Sequence, residues 1–225
     1  PRSTLFPYTT LFRSLASEPK NSTTELPLAT DNDEDRDLIL FQVHKKYIIM
    51  QTAQGISLID QHAAHERILY EKAIKAMNRE FSNSQELLFP VYADFNSAEL
   101  LIVREIHSEL ENLGYGIRFA EGGPVELSRV PLDVTNGREA TSIKELIEQY
   151  DEQKKLGHTE KRDNLAASYS CKAAIKSGQE LSREEMQRLI RDLFKCAMPY
   201  SCPHGRPIVL DFSLTELDKR FGRIL

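Results

Sequence analysis

Residues 56–67 read ISLIDQHAAHER, and this stretch decides the fold. Its first four residues have the apolar character of a short strand, and from His62 onward the apolar residues recur with helical spacing. Asp60 therefore stands where a strand passes into a helix, a position that often presents functional groups. His62 and Glu66 are four residues apart, so they lie on one face of that helix. The stretch predicts two carboxylates and an imidazole at one end of a sheet.

A second group of metal-ligand types follows far along the chain, where residues 202–207 read CPHGRP. Cys202 and His204 flank a proline, which favours extended backbone and predicts both side chains on one side. Neither segment has enough ligands to close a site alone, but together they make a mixed nitrogen, oxygen and sulfur set suited to divalent ions. The simpler alternative is that Asp60 caps the helix, His62 pairs locally with Glu66, and Cys202 is a small buried hydrophobe.

Composition limits the class of protein without naming a partner. The chain has 225 residues, 40% hydrophobic and 28% charged, as in ordinary globular proteins. Its net charge of −5 does not by itself indicate a nucleic-acid binder. The three cysteines are an odd number and predict free thiols in a reducing compartment. No apolar run is long enough for a membrane span.

Four short motifs, taken in order, resemble a known family. They are DQHA-x2-E-x4-E at 60–71, SCK at 170–172, CPHGRP at 202–207 and FGR at 221–223. From about residue 38 to the last residue the chain is similar to the C-terminal domain of endonuclease-type MutL proteins. The resemblance implies a homodimer that nicks one strand of duplex DNA in mismatch repair. It also implies that the full-length protein binds the mismatch-recognition protein. It also implies a bacterial cytoplasmic, nucleoid-associated location and no membrane.

The same resemblance implies a role for individual residues. Manganese or magnesium would support nicking, and zinc would regulate or structure the site. The implied metal ligands are Asp60, His62, Glu66, Cys202, His204 and Cys171. The first three of these are also the implied catalytic residues. The implied supporting residues are Glu71, whose side chain points about 140° away from Glu66 on a helical wheel, and Arg206 and Arg223 as phosphate contacts. For Arg206 a structural salt bridge is an equal alternative.

Residues 85–90, QELLFP, resemble the peptide by which MutL proteins dock on the bacterial sliding clamp. Gln85, Leu87, Leu88 and Pro90 would make the contacts, as an extended peptide with apolar side chains in a pocket. The alternative is a connector that buries Leu87 and Phe89 in its own domain.

The predicted fold class is α/β, an α+β arrangement of a mixed sheet with helices. Residues 38–82 and 164–225 would form the metal-binding dimerisation subdomain, and residues 84–163 an inserted regulatory subdomain. Residues 1–14 resemble a translated sequencing-adapter oligonucleotide and are predicted to be an artefact, with natural sequence missing upstream. Residues 15–37 have the polar, acidic composition of a flexible linker.

Local patterns also predict the elements. Strands are expected at 38–44, 47–51, 56–59, 117–119, 125–130 and 207–212, and a non-helical connector at 81–94. Helices are expected from 62 to about 79, from a capping box at Asn96 to Gly114, from Ser142 to before Gly157, from 165 to 177, and from a capping box at Ser182 to about 195.

Two rivals to the nuclease remain open. One is a non-catalytic, zinc-stabilised module for dimerisation and clamp binding. The other is a zinc hydrolase that acts on a small molecule, although the sequence has no Gly-rich or aromatic pocket motif to support it.

Overall fold

The computed structural model describes residues 39–78, 84–120, 123–157 and 160–224, which lie in one unit, Leu38–Leu225. The predicted artefact at 1–14 and the predicted linker at 15–37 lie outside the described residues.

Seven strands and seven helices alternate irregularly along the described chain. The strands are β1 (Leu40–Val43), β2 (Tyr47–Thr52), β3 (Gly55–Asp60), β4 (Ser84–Ala93), β5 (Gly116–Phe119), β6 (Val125–Pro131) and β7 (Val209–Ser213). The helices are α1 (Gln61–Met77), α2 (Ser97–Glu105), α3 (His107–Leu113), α4 (Glu139–Lys155), α5 (Lys161–Ala173), α6 (Arg183–Phe194) and α7 (Leu214–Arg220).

The first sheet has the order β1-β2-β3-β7, and all its neighbours are antiparallel. Alternate side chains point to opposite faces, as strand geometry requires. One face carries Ile48, Met50 and Ile59, which pack with the first half of α1 and with α6 into a buried core. Because β3 ends at Asp60 and α1 begins at the next residue, this sheet determines where the motif helix starts.

The second sheet has the order β4-β6-β5 and is also antiparallel. Its buried side packs against helices α2 to α5 and the second half of α1. The predicted α/β class is confirmed, but the expectation of a mixed sheet is not, because every pairing among the described strands is antiparallel. The predicted division into two subdomains stays a prediction.

Of the three helix starts predicted at Asn96, Ser142 and Ser182, the first and third are capping boxes in the structure and the second is not a helix start. The side chain of Asn96 accepts from the backbone of Glu99, whose carboxylate accepts from the backbone of Asn96. Ser182 and Glu185 make the same reciprocal pair at the start of α6. Each box satisfies two backbone N–H groups that a helix start leaves without partners.

Three predicted elements differ from the structure. The connector at 81–94 is largely strand β4, interrupted by a register shift between Glu86 and Val91. The long helix after Asn96 breaks at Ile106, whose buried side chain joins the core. Ser142 lies inside α4, because a turn at Gly137 starts that helix three residues earlier and the Glu139 carboxylate accepts the Gly137 N–H at 2.9 Å.

Helix α5 begins and ends four residues before the prediction. It runs over Lys161–Ala173, and Ala174 is already extended, with φ −63° and ψ 149°. The backbone of Ile175 therefore lies outside the helix, where side chains can reach it. Among the described residues, no helix has the length and apolar character needed to cross a membrane.

Candidate metal centre

Three donors from remote parts of the chain meet at one point. The carboxylate of Glu66 on α1, the thiol of Cys171 on α5 and the imidazole of His204 have ligand atoms within 4.8 Å of one another. The Cys171 Sγ donates to Glu66 Oε1 at 2.6 Å and lies 3.8 Å from His204 Nε2. The His204 Nδ1 lies 3.3 Å from Glu66 Oε1. This is the convergence of the two sequence motifs that the sequence predicted, with Cys171 supplying the sulfur.

Helix packing places two of the three donors. Asp60 caps α1 by accepting the N–H groups of His62 and Ala63 at 2.9 and 3.0 Å, which sets the start and direction of the helix. Helix α1 packs along α5, and the small residues of α5 allow the close approach. Glu66 is buried on that shared face. Cys171 opposes it from the last turn of α5.

A tight turn places His204. Gly205 donates to the carbonyl of Cys202 at 2.9 Å with φ 78°, in the left-handed region that glycine enters without strain. The predicted extended backbone at the proline is therefore wrong: the segment folds back. As a result His204 reaches the cluster, while the buried Cys202 sulfur accepts the N–H of Arg206 at 3.3 Å.

The chemistry of the cluster fits a divalent ion. The pKa of the Cys171 thiol is raised to about 12, mainly by burial and also by its hydrogen bond to Glu66 and the nearby Glu66 and Cys202 charges, with Lys176 opposing them. A cation that replaced the thiol proton would pair with the thiolate and with the Glu66 carboxylate together. Donor atoms around a tetrahedral zinc lie about 3.4–3.8 Å apart, so an ion would have to separate Cys171 Sγ from Glu66 Oε1, which lie 2.6 Å apart as a hydrogen-bonded pair. Cys202, near enough to act on Cys171, is available as a further ligand.

His62 is held by the backbone that follows α5. Its Nδ1 lies 2.9 Å from the Ile175 carbonyl, an acceptor, so Nδ1 carries the proton and Nε2 is left for a metal. The N–H of the same residue donates to Nδ1 of His65 at 2.9 Å. The pKa of His65 is lowered to about 4, mainly by burial, with Asp133 and Asp192 raising it and the nearby Lys72 and His62 charges lowering it. His65 is thus a neutral support for the peptide that orients His62.

Glu71 lies away from the cluster, as the helical wheel predicted. Its carboxylate accepts the backbone N–H groups of Ala197 and Met198 at 2.8 and 3.1 Å. Arg67, nearly buried beside it, donates through Nε to the Ser201 carbonyl at 2.6 Å. These two side chains therefore hold the loop that leads into Cys202. The sequence analysis assigned Arg67 no role. The one available signal was a charged residue on a helix face that is otherwise buried.

The two predicted phosphate contacts differ in position. Arg206 is exposed and directly follows the turn that carries His204, and its backbone is bonded to Cys202. Arg223 follows α7, which starts where Ser213 pairs with Gly55, at the end of β3 opposite Asp60. Its guanidinium lies 3.4 Å from Asp218. The structure therefore does not bring Arg223 to the cluster of the same chain.

The clamp-like segment lies within β4, where the register shift loops it out. Leu88 and Phe89 are 88% and 75% exposed. Leu87 is half-buried against the core, and Gln85 donates to the Val134 carbonyl at 3.4 Å. The alternative that this segment buries Phe89 is wrong, because the bulge turns that side chain outward.

Comparison with known proteins identifies the family of the chain. The model of the family described as "MutL C terminal dimerisation domain" matches residues 40–181. The DNA mismatch repair protein MutL of Chlorobaculum tepidum is 47% identical over 206 residues, covering 92% of this chain and 32% of that protein. The protein of the same name from Chlorobaculum parvum is 46% identical over 208 residues, covering 92% and 33%. That of Chlorobium chlorochromatii is 47% identical over 184 residues, covering 82% and 29%.

The chain thus spans about a third of the length of these curated relatives. The family match extends over β1 to α5, including the DQHA helix and Cys171. The chain belongs to the MutL C-terminal dimerisation domain family.

Proposed function

We propose that this domain is a metal-dependent endonuclease that nicks one strand of duplex DNA during mismatch repair. The observation that carries the proposal is the meeting of Glu66, Cys171 and His204 beside the DQHA helix. A mixed donor set assembled from three segments suits a reaction centre better than a simple structural clip, which commonly uses four cysteine or histidine ligands.

The residues present fit manganese or zinc better than magnesium. Magnesium prefers an all-oxygen octahedral shell, whereas thiolate and imidazole favour softer ions. Glu66, Cys171 and His204 would hold an ion, and Asp60, His62 and Cys202 are the remaining predicted ligands. Bound divalent ions would activate water and neutralise charge on the phosphodiester oxygens. We propose manganese or magnesium as the ion for nicking and zinc as a regulatory or structural ion.

The chain's own groups complete the site. Asp60 uses Oδ1 to cap α1, so its Oδ2 is the oxygen that a cation would take. His62 is fixed in the tautomer whose Nε2 is free. The exposed Arg206, which follows His204 by two residues, could pair with a phosphate in a forked geometry. Asp60 is held by backbone N–H groups of its own helix, and His62 by the backbone carbonyl of Ile175, beyond α5.

Nicking of supercoiled plasmid with manganese tests the proposal. We expect Asp60→Asn and Glu66→Gln to reduce the rate at least about 100-fold, since loss of an outer partner of a metal ligand already costs about 10–100-fold. Glu216→Gln, an exposed carboxylate on α7, is the matched control. If the purified chain binds stoichiometric metal but never nicks, the rival of a non-catalytic zinc module is correct.

We propose the bacterial sliding clamp as a second partner. The supporting observation is the exposed bulge, which presents Leu88 and Phe89 on an edge strand. Apolar side chains this exposed are typical of a binding segment. Leu88→Ala should weaken clamp binding in surface plasmon resonance by about tenfold, the size of one buried leucine. Leu101→Ala, at a leucine on α2 that is 69% exposed, should bind like the unchanged chain.

A homodimer completes the proposed assembly, in agreement with the family's description as a dimerisation domain. Two copies would place two metal clusters on one DNA duplex. Contact with the mismatch-recognition protein would come through the full-length protein. With DNA as substrate, the place of action would be the bacterial cytoplasm at the nucleoid.

A further inference from the structure

The turn between β1 and β2 has an unusual backbone. His44 and Lys45 both have φ of 51°, and within the described chain they are the residues other than glycine with positive φ. The N–H of Lys46 donates to the Val43 carbonyl at 3.1 Å and closes the turn. Two consecutive left-handed residues are the requirement of a type I′ turn, which Asn-Gly fulfils with little strain. Here a histidine and a lysine occupy those positions.

The strained turn is held by the motif helix. The side chain of Gln61 donates to the Lys45 carbonyl at 2.8 Å, and its backbone N–H donates to the Lys46 carbonyl at 3.0 Å. Gly178, beyond α5, donates to the Lys45 carbonyl at 3.0 Å. Backbone strain persists only where the surroundings over-determine the conformation, and it concentrates at functional sites. Gln61 of the DQHA motif therefore stabilises the conformation of this turn.

The turn lies at the same end of the sheet as the metal cluster. Tyr47, the first residue after it, pairs with Asp60. Gln61 and Glu66 are separated by about 7.5 Å along the axis of α1. Duplex DNA carries a charge about every 3.4 Å along each strand. Along α1, the turn bonded to Gln61 is therefore separated from the cluster by about two phosphate spacings.

The turn is basic in an acidic chain. Residues 44–46 read HKK and are all exposed, while the whole chain has a net charge of −5. Lys45 pairs with the exposed Glu180 at 2.8 Å. Lys46 forms no ion pair with another described residue, so its charge is free for an external anion. A sequence chosen for turn stability alone would not place two lysines and a histidine here.

We propose that the turn at residues 44–46 is a contact for the phosphate backbone of duplex DNA, held beside the cutting site by Gln61. The inference rests on the proposed function for the identity of the anion. It assigns a positioning role: the turn aligns the duplex and takes no part in the reaction itself. Phosphate contacts of this kind set register without reading sequence.

The test is fluorescence anisotropy with a labelled 30-base-pair duplex, using the full chain without added manganese or magnesium. Lys46→Ala should weaken binding about five- to tenfold at about 0.1 M salt and lower the slope of log affinity against log salt by about 0.9. Lys219→Ala is the matched control, because α7 lies at the opposite end of the sheet and this lysine is also exposed. The control should bind like the unchanged chain.

A second variant separates contact from stability. His44→Asn combined with Lys45→Gly supplies the residues that the turn prefers, so the melting temperature should rise by about 2–4 °C. The same variant removes two basic groups and should bind DNA more weakly than the unchanged chain. Weaker binding from a more stable protein cannot arise from unfolding.

Several outcomes would overturn the proposal. One is an unchanged affinity and salt slope in Lys46→Ala, and another is an equal loss of affinity in Lys219→Ala. A third is that the unchanged chain does not bind the duplex even at low salt. A fourth is that poly-glutamate displaces the DNA at equal charge, which would indicate an acidic protein partner. Failure of the nuclease proposal is seen separately, because the binding assay needs no nicking. If only the nuclease proposal fails, the variants at residues 44–46 still bind DNA more weakly than the unchanged chain. The unchanged chain is then as inactive on plasmid as Asp60→Asn.

Discussion

One backbone residue, Ile175, serves two histidines of the motif helix. Its carbonyl accepts from His62 Nδ1 and its N–H donates to His65 Nδ1, each at 2.9 Å. His65 can accept that bond only while neutral, and its burial keeps it so. The peptide, fixed on one side by His65, holds His62 in a single tautomer on the other. Outer partners of this kind typically tune a metal site.

Substituting His65 tests this chain of contacts. His65→Leu removes the acceptor, so His62 should populate both tautomers and zinc affinity should fall about 10–100-fold. His65→Gln keeps an acceptor oxygen and should retain most of the affinity. The readouts are the ¹⁵N chemical shifts of the His62 ring and competition with a chromophoric zinc chelator. Identical His62 shifts in the leucine variant would rule out the positioning role.

The same burial predicts a pH dependence of stability. Because the pKa of His65 is lowered from 6.5 to about 4 in the folded chain, the unfolded chain binds the proton first. Its contribution to stability is therefore complete above pH 6.5 and is lost as the pH falls toward 4. The difference corresponds to at most on the order of 3 kcal/mol. Urea unfolding should show that the free energy of unfolding changes less with pH in His65→Gln than in the unchanged chain. Equal pH slopes in the two proteins would contradict this prediction.

At the residue scale, sequence reasoning named all three residues of the cluster. Glu66, Cys171 and His204 were predicted as ligands and lie together. The pattern of a cysteine beside a histidine in CPHGRP drew attention to Cys202 first, and a cysteine in an alanine-rich helix is a weaker pattern. The position of His204 depends on the turn at Gly205, and that of Cys171 opposite Glu66 depends on the packing of α1 on α5. Neither is visible from local spacing.

At the element scale, two faces of α1 contribute to the candidate metal centre. One face presents Glu66 to the cluster, and the other uses Arg67 and Glu71 to hold residues 197–201. The pair is nearly buried, so its hydrogen bonds to backbone are of the strong, charge-assisted kind. The helix therefore positions both the ligand that it carries and the loop that delivers His204.

Glu71→Ala should release that loop. Two backbone N–H groups lose their acceptor and Arg67 loses its partner, at a cost of about 2–4 kcal/mol. Hydrogen exchange of residues 197–206 should accelerate, and metal affinity should fall about 10–100-fold although no ligand has changed. The exposed pair of Glu216 and Arg220 on α7 supplies the control, since Glu216→Ala breaks a similar contact away from the centre. Unaltered exchange in this segment would show that Glu71 has no such task.

Element prediction succeeded where the signal was local and failed where packing decided. The boxes at Asn96 and Ser182 need only side chains three residues apart, and both are present. Ser142 has the same spacing to Glu145, yet it lies within α4 and its hydroxyl meets Tyr115 at 3.3 Å. Strand β4 was not predicted because Pro90 and its exposed neighbours lie in a bulge, where strand alternation is interrupted.

At the scale of the whole molecule, sheet order follows from contacts that the sequence does not display. Strand β7 completes the first sheet from more than 140 positions beyond β3, pairing Ile59 with Val209. Apolar alternation indicated the strands themselves, but not their antiparallel neighbours. The fold class was therefore predictable, whereas the topology that positions both halves of the centre was not.

The outer face of this sheet is apolar, and the part of the chain that the structure describes leaves it exposed at both edges. Phe41, Ile49, Leu58 and Leu210 form one row across all four strands through direct pairings, on the face away from the core. Phe41 is 62% exposed and Leu210 48%. An antiparallel sheet with one solvated face normally carries polar residues there. In a family described as a dimerisation domain, the cover that fits is the same face of a second copy.

Charge on this row should therefore separate the dimer. A twofold interface repeats each substitution, so Leu210→Glu places two carboxylates in an apolar contact, and Phe41→Glu does so at the other edge. Sedimentation equilibrium should show the unchanged chain at twice the chain mass and both variants at the mass of one chain, with folded circular dichroism spectra because neither side chain belongs to the core. Leu101→Glu, on α2 and 69% exposed, should remain dimeric. If Leu210→Glu also remains dimeric, the two copies meet through another surface, and the apolar row must have a different partner.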